Sequence, residues 1–192
     1  VPNAYAAAFE GRESQEISLQ RFLQLEKKGY KPVHTNVVAV RRSKLLSVGG
    51  FPESCRRGGD VATWLRLLIT VEKMRCSPEM TAVYHREDSD VVRTTAPEIA
   101  GNCVHAAVKK LRGHVLDPVV YRDMLRFSNQ HIRFAVKQRL LHGRLRFSDV
   151  RWWYPSVDFV EYVRYVCMAF LPRRVQILAF KIHRRLYELI CR

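Results

Sequence analysis

Between Tyr30 and His85 the chain changes residue type abruptly several times, and the order of those changes reads as strand, short helix, glycine turn, loop, helix and strand. His34 to Val40 (HTNVVAV) is a β-branched apolar run of strand length. Ser43 to Val48 is short and helical in pattern, and Gly49-Gly50 ends it, because glycine accepts the left-handed conformation that a helix terminus requires. Phe51-Pro52-Glu53 and a loop lead to Gly58-Gly59-Asp60. Asp60 stands where an N-cap belongs, with Val61, Trp64, Leu65, Leu68 and Val71 forming an i, i+3, i+4 stripe behind it. Met80 to His85 (MTAVYH) has the pattern of a second buried strand.

The remaining composition limits the class. Of the 192 residues, 47% are hydrophobic, enough to fill a core, so global disorder is excluded. The formal net charge of +15 is uneven: residues 1–96 hold 15 Lys+Arg against 11 Asp+Glu (+4), and residues 97–192 hold 18 against 7 (+11). A half so basic suits an anionic membrane surface or nucleic acid. No zinc-finger spacing or RNA-binding aromatic motif is present, so nucleic acid is the weaker option. Five cysteines with no CxxC spacing argue against a disulfide framework or a structural zinc site, and fit a reducing cytosol. Arg164 and Arg173-Arg174 interrupt the longest apolar candidate, so no segment spans a membrane.

Several motifs in one order carry a resemblance: Arg41-Arg42-Ser43, Gly49-Gly50-Phe51-Pro52-Glu53, Asp60, Trp64-Leu65-Arg66 and Tyr84-His85-Arg86. Over roughly residues 30 to 95 the chain resembles the end of the catalytic domain of glycosyltransferase family 2, nucleotide-sugar-dependent enzymes of GT-A fold. The resemblance implies an α/β, Rossmann-like domain end over residues 1–95, followed by a basic α-helical region over 96–192. It also implies transfer of a sugar, with inversion, from a nucleotide-diphosphate donor to a hydroxyl of a glycan or lipid-linked acceptor. In such enzymes a divalent metal, magnesium or manganese, is held by an aspartate-x-aspartate that precedes the base by a long interval. Asp88-Ser89-Asp90 spells that pattern but lies after Asp60, where a polar turn following a strand is expected. The chain opens on Val1 without the features of a signal peptide. It is therefore expected to be a fragment whose donor-binding half lies upstream, inactive in isolation, and cytoplasmic, peripheral at the inner face of the membrane.

Asp60 matches the aspartate that inverting members use as general base. It would take the proton of the attacking hydroxyl, and an aspartate of ordinary pKa is ionised at neutral pH. The alternative role is N-capping alone. The family's acidic pair is usually glutamate-aspartate, and here its first member is Gly59. Thr35 and Asn36 fall near the sugar end of the donor pocket in relatives, or else satisfy backbone groups where the strand begins. Arg56 and Arg57, in the loop before the base, suit an oxyanion because the guanidinium fork binds it bidentately; the alternative is a solvated loop charge. His85 matches a histidine that reaches metal or diphosphate in several relatives, with Arg86 as a companion phosphate contact. Trp64 is expected to pack, and Arg66 to pair with an acid on a neighbouring element.

Beyond Pro97 the pattern is helical, with candidates at 97–112, 118–142, 156–170 and 173–191. His105, His114, His131 and His142 are dispersed among them and read as ordinary surface or core histidines. In the last helix Val175, Leu178, Ile182, Leu186 and Leu189 form one stripe, and Arg174, Lys181, Arg184, Arg185 and Arg192 lie largely opposite. Such a helix either lies on anionic lipid, with Trp152, Trp153 and Tyr154 in the headgroup layer, or packs on the domain with a solvated basic face. The alternative function is accordingly a non-catalytic basic module that binds a membrane surface or nucleic acid.

Overall fold

The computed structural model describes residues 13–30, 32–55, 58–71, 73–77 and 102–190, with the side chains of 36, 142 and 183–190 outside that description. Strand β1 (Gln15–Ser18) runs straight into helix α1 (Leu19–Lys27), and Ser18 serves both elements. Its hydroxyl accepts from Arg21 N–H at 3.3 Å, satisfying one of the donors a helix start leaves open. At the other end Gly29, at φ +84°, lets Tyr30 N–H turn back to Leu25 O at 3.0 Å. The stretch from Ser14 to Gly29 is thus a strand followed by a helix.

Helix α2 (Arg42–Ser47) ends at Gly49 and Gly50, at φ +80° and +62°, as the glycine pair predicts. Helix α3 (Gly59–Val71) follows, and β2 (Lys73–Cys76) pairs antiparallel with β1, Ile17 opposite Met74. This two-stranded sheet is the only one among the described residues, and the rest of the described regular structure is helical. The strand expected over His34 to Val40 is a difference. Thr35–Val37 form a single 3-10 turn, closed by Val37 N–H to His34 O at 3.0 Å, with extended backbone at His34 and Val38. Val37 and Ala39 are exposed, Val38 and Val40 are only half-buried, and no described strand pairs with the run. The strands expected in residues 1–12 and Met80 to His85 lie outside the described residues.

Helix α4 (Cys103–Lys110) is capped by Asn102, whose Oδ1 accepts from Val104 and His105 N–H at 3.1 and 3.2 Å. A 3-10 turn (Leu111–Gly113) leads to the long α5 (Pro118–His142), started by Asp117 as N-cap and Pro118 in the first turn. The short α6 (Phe147–Val150), α7 (Phe159–Phe170) and α8 (Arg173–Ile190) complete the chain. Expected boundaries at 118–142, 156–170 and 173–191 agree with α5, α7 and α8 to within a few residues.

Two buried clusters hold these elements. The first joins Ile17, Phe22 and Leu25 to Leu65 and Leu68 of α3, Val104 and Val108 of α4, and Met124 and Phe127 of α5. The second joins Ile132, Val136 and Leu140 of α5 to Leu145, Val150, Trp153, Tyr165 and Phe180. Helix α5 belongs to both. Asn129, fully buried between the clusters, docks the segment after α6: its amide donates to Tyr154 O and Asp158 Oδ2, each at 3.0 Å, and its carbonyl accepts from Tyr154 N–H at 2.9 Å.

Two expectations fail, and one choice left open by the sequence is narrowed. Trp153, placed in a lipid headgroup layer by the pattern, is instead core, 3% exposed and 5.4 Å from the Tyr165 ring. Helix α8 does not bury its apolar stripe: Val175, Leu178 and Ile182 are exposed, and Gln176, Ala179 and Phe180 face the second core. Cys55 and Cys103 form a disulfide, with Cα atoms 6.1 Å apart across a sequence separation of 48. The odd cysteine count concealed it, because the packing of α3 against α4 brings the pair together and no local spacing encodes that. The reducing cytosol inferred from that count loses its support. Among the described residues no helix is long and apolar enough to cross a membrane.

Candidate active site

The glycine turn, the 3-10 turn and the N-terminus of α3 meet at Asp60. The helix begins one residue before it, and Gly58 O accepts the first helical hydrogen bond, from Ala62 N–H at 2.9 Å. Asp60 is therefore in the first turn and is not the N-cap, because Gly58 at φ +73° makes the bend that starts the helix. A carboxylate there is favoured by the positive end of the helix dipole. Thr35 Oγ1 donates to Asp60 Oδ2 at 2.8 Å, bringing together two of the site residues expected from the sequence, 25 positions apart. Among the described residues Oδ1 has no hydrogen-bond partner, so one oxygen is held and the other is open.

The turn beside this carboxylate is held by Arg66. Its guanidinium donates to Val48 O at 2.7 Å, Gly50 O at 2.6 Å and Thr63 Oγ1 at 3.0 Å. The expected acidic partner is replaced by backbone carbonyls that the left-handed glycines turn toward α3. Partial burial pushes the Arg66 pKa down, yet the group stays cationic, and those bonds are charge-assisted. Thr63 reinforces the clamp by donating to Gly59 O at 2.8 Å and to Gly50 O at 3.2 Å. Trp64 packs as expected, edge-on to Phe51 with centroids 5.6 Å apart. Its indole Nε1 is buried without a partner among the described residues.

Gly59 has a steric reason to be glycine. A Cβ there would lie 3.2 Å from Cys55 Cβ and 3.3 Å from Pro52 Cγ. A side chain there would press the disulfide-bonded loop back by a few tenths of an ångström. Cys55–Cys103 ties that loop to α4, and a Cβ on Gly58 would meet Val104 at 3.3 Å. The approach to Asp60 is thus braced from the helical half.

Arg56, Arg57, His85 and Arg86 lie outside the described residues, as do Asp88, Asp90 and the side chain of Asn36. Among the described residues no three His, Cys, Asp or Glu side chains converge to hold a metal ion. Sequence reasoning missed Arg66 as the clamp and the disulfide, both set by tertiary packing. It also missed a basic, aromatic cleft beside α4. The chain matches no protein-family model, no curated protein and no solved structure.

Proposed function

We propose that this chain is the C-terminal part of a GT-A glycosyltransferase domain of family 2 type, transferring a sugar from a nucleotide-diphosphate donor to a hydroxyl of a glycan or lipid-linked acceptor, with inversion. The observation that carries the reading is the Asp60 carboxylate at the N-terminus of α3, with Oδ2 held by Thr35 and Oδ1 open. In the step envisaged, the acceptor oxygen attacks the anomeric carbon and its proton passes to Oδ1. The bond to the diphosphate breaks as the new glycosidic bond forms. The hydroxyl of Thr35 fixes the carboxylate's orientation, which is what a general base needs besides a suitable pKa. The donor diphosphate and a magnesium or manganese ion would be held by an aspartate-x-aspartate in an upstream half, with His85, Arg86, Arg56 and Arg57 as further contacts.

Asp60→Asn tests this in the chain joined to that donor-binding half. Transfer should fall by about 10²- to 10⁴-fold, the usual contribution of a positioned base, while donor affinity stays within a few-fold. Transfer at the parental rate would overturn the assignment.

A second reading has its own support. On α7 and α8, Phe159, Val160, Phe170, Leu178 and Ile182 are all at least half exposed. Exposed Arg173, Arg174 and Lys181 lie on α8, and exposed Arg144 and Arg146 lie just before α6. Apolar side chains among cations suit the surface of an anionic bilayer better than nucleic acid, which gives a phenylalanine no place to go. Peripheral attachment at a membrane face, beside a lipid-linked acceptor, accommodates both readings.

A further inference from the structure

Beside α4 a cleft of about 310 Å³ opens between that helix, the start of α5 and the segment following α6, and Asp60 is not among its lining residues. Its charged lining is entirely basic: Lys109 on α4, Arg112 on the 3-10 turn and Arg151 after α6, with no carboxylate among the lining residues. None of the three is ion-paired with a carboxylate among the described residues. Like charges gathered around one concavity repel, and an anion between them removes that repulsion.

The walls are aromatic. The Arg151 guanidinium sits over the Trp152 ring, 4.8 Å from its centroid, which restricts a long side chain that would otherwise sweep through solvent. His105 and Tyr154 stack at 4.9 Å, 23° from parallel, and His105 meets Trp152 edge-on at 5.5 Å. This backing is fixed from beneath. His105 Nδ1 lies 3.2 Å from Ser128 Oγ on α5, and Tyr154 is held through its backbone by the buried Asn129. Burial and neighbouring Lys109 push the His105 pKa down, so the imidazole is neutral at physiological pH and serves as a polar wall. Two arginines and a lysine on a rigid frame suit a tetrahedral oxyanion carrying more than one charge: a guanidinium binds such oxygens in pairs and an ammonium adds a point charge. The aromatic faces suit an organic group attached to that anion. A volume of this size is at the lower end for small-ligand sites.

We propose that this cleft binds the phosphoryl group of a phosphate ester, with Lys109, Arg112 and Arg151 around the oxyanion and Trp152 and Tyr121 beside the ester's organic part. The same chemistry is offered by a soluble phosphate ester and by a phospholipid headgroup. The site is independent of the reading given to Asp60.

The experiment uses the full chain. Phenyl phosphate and glycerol 3-phosphate are titrated by calorimetry, and tryptophan emission is followed in parallel. Phosphatidylcholine vesicles with and without phosphatidic acid form the second arm. Saturable binding of the soluble probes assigns a soluble ester, and binding confined to phosphatidate vesicles assigns a lipid headgroup. In either case Arg112→Glu with Arg151→Glu should weaken binding by about tenfold or more, the factor of at least one charge-assisted hydrogen bond. The matched pair Lys27→Glu with Lys28→Glu, exposed at the end of α1 and not among the lining residues, should leave affinity within about two-fold, as expected for solvent-screened charges outside the cleft. Should the double reversal disturb folding by circular dichroism, the single changes Arg112→Gln and Arg151→Gln are read instead, each expected to weaken binding several-fold. No binding to any of the probes, or equal losses in cleft and control variants, would overturn the proposal.

Discussion

Gln176 is the polar side chain on which the second core turns, and replacing it by leucine tests how that core is assembled. It is 1% exposed. The two protons of its amide nitrogen are shared among Leu145 O at 3.1 Å, Met168 O at 2.9 Å and Leu171 O at 3.0 Å, and its oxygen accepts from Leu145 N–H at 3.1 Å. One side chain thus joins α8 to the end of α7 and to the segment before α6. Gln176→Leu keeps most of the volume and removes every one of these bonds. Met168 O still receives Leu171 N–H, so three backbone groups lose this partner: Leu145 N–H, Leu145 O and Leu171 O. Unsatisfied buried groups cost about 1–3 kcal/mol each. Leu171 is only half-buried and water reaches it, so the low end applies, and the added apolar surface returns roughly 1 kcal/mol. The net loss is then about 2–3 kcal/mol, or a fall in Tm of roughly 4–12 °C for a chain of this size. Urea unfolding followed by circular dichroism measures it directly. A change below about 0.5 kcal/mol would refute the reasoning, because an exposed or unbonded glutamine would tolerate leucine at that level. Gln176→Glu sharpens the test: at neutral pH its carboxylate faces three carbonyl oxygens, so it should destabilise more than leucine. It should recover as pH falls, when the neutral acid regains one donor.

His105 predicts an acid limb of stability. Its folded pKa lies below the usual 6.5, first through burial and then through Lys109, so the unfolded chain binds the proton more readily. This contribution is complete above the unfolded pKa and is lost as pH drops through 6.5 toward the lower folded value. His105→Gln should flatten that part of a urea-midpoint profile between about pH 7.5 and 5.5, and an unchanged profile would exclude His105 as its origin. For the exposed apolar face of α7 and α8, Phe170→Asp with Leu178→Asp should reduce partitioning onto anionic vesicles by at least about tenfold, since each buried side chain of this size contributes roughly 1.5–3 kcal/mol. Partitioning that falls only with added salt, and not with these changes, would show that charge alone brings the chain to the surface.

The parts legible in the sequence were those written locally. Gly49-Gly50 ended a helix where left-handed backbone was required, and Asp117-Pro118 and Gly143 bracketed α5. Asp60 was singled out from the order of motifs, and the structure pairs it with Thr35, another expected site residue. Long-range packing was not legible. Nothing in the spacing of Cys55 and Cys103 indicates that α3 and α4 bring them together. Arg66 reads as an ion-pair partner until the glycine carbonyls are seen to turn toward it. The apolar stripe on α8 was found correctly but assigned no side, because periodicity marks a face without saying what lies against it. Gln176, a polar residue in an amphipathic helix, carried no signal of burial at all. Lys109, Arg112 and Arg151 are too far apart in sequence to suggest a common cleft.

One helix belonging to both cores has a mechanical consequence. The 25 residues of α5 make a rod of about 37 Å, gripped at one end by α1, α3 and α4 and at the other by α7 and α8. Because both cores are built on this one helix, no loop separates them along α5. If the exposed end rests on a surface as proposed, the end that carries Asp60 stands at the far end of a continuous helix, and the length of α5 sets its spacing from that surface.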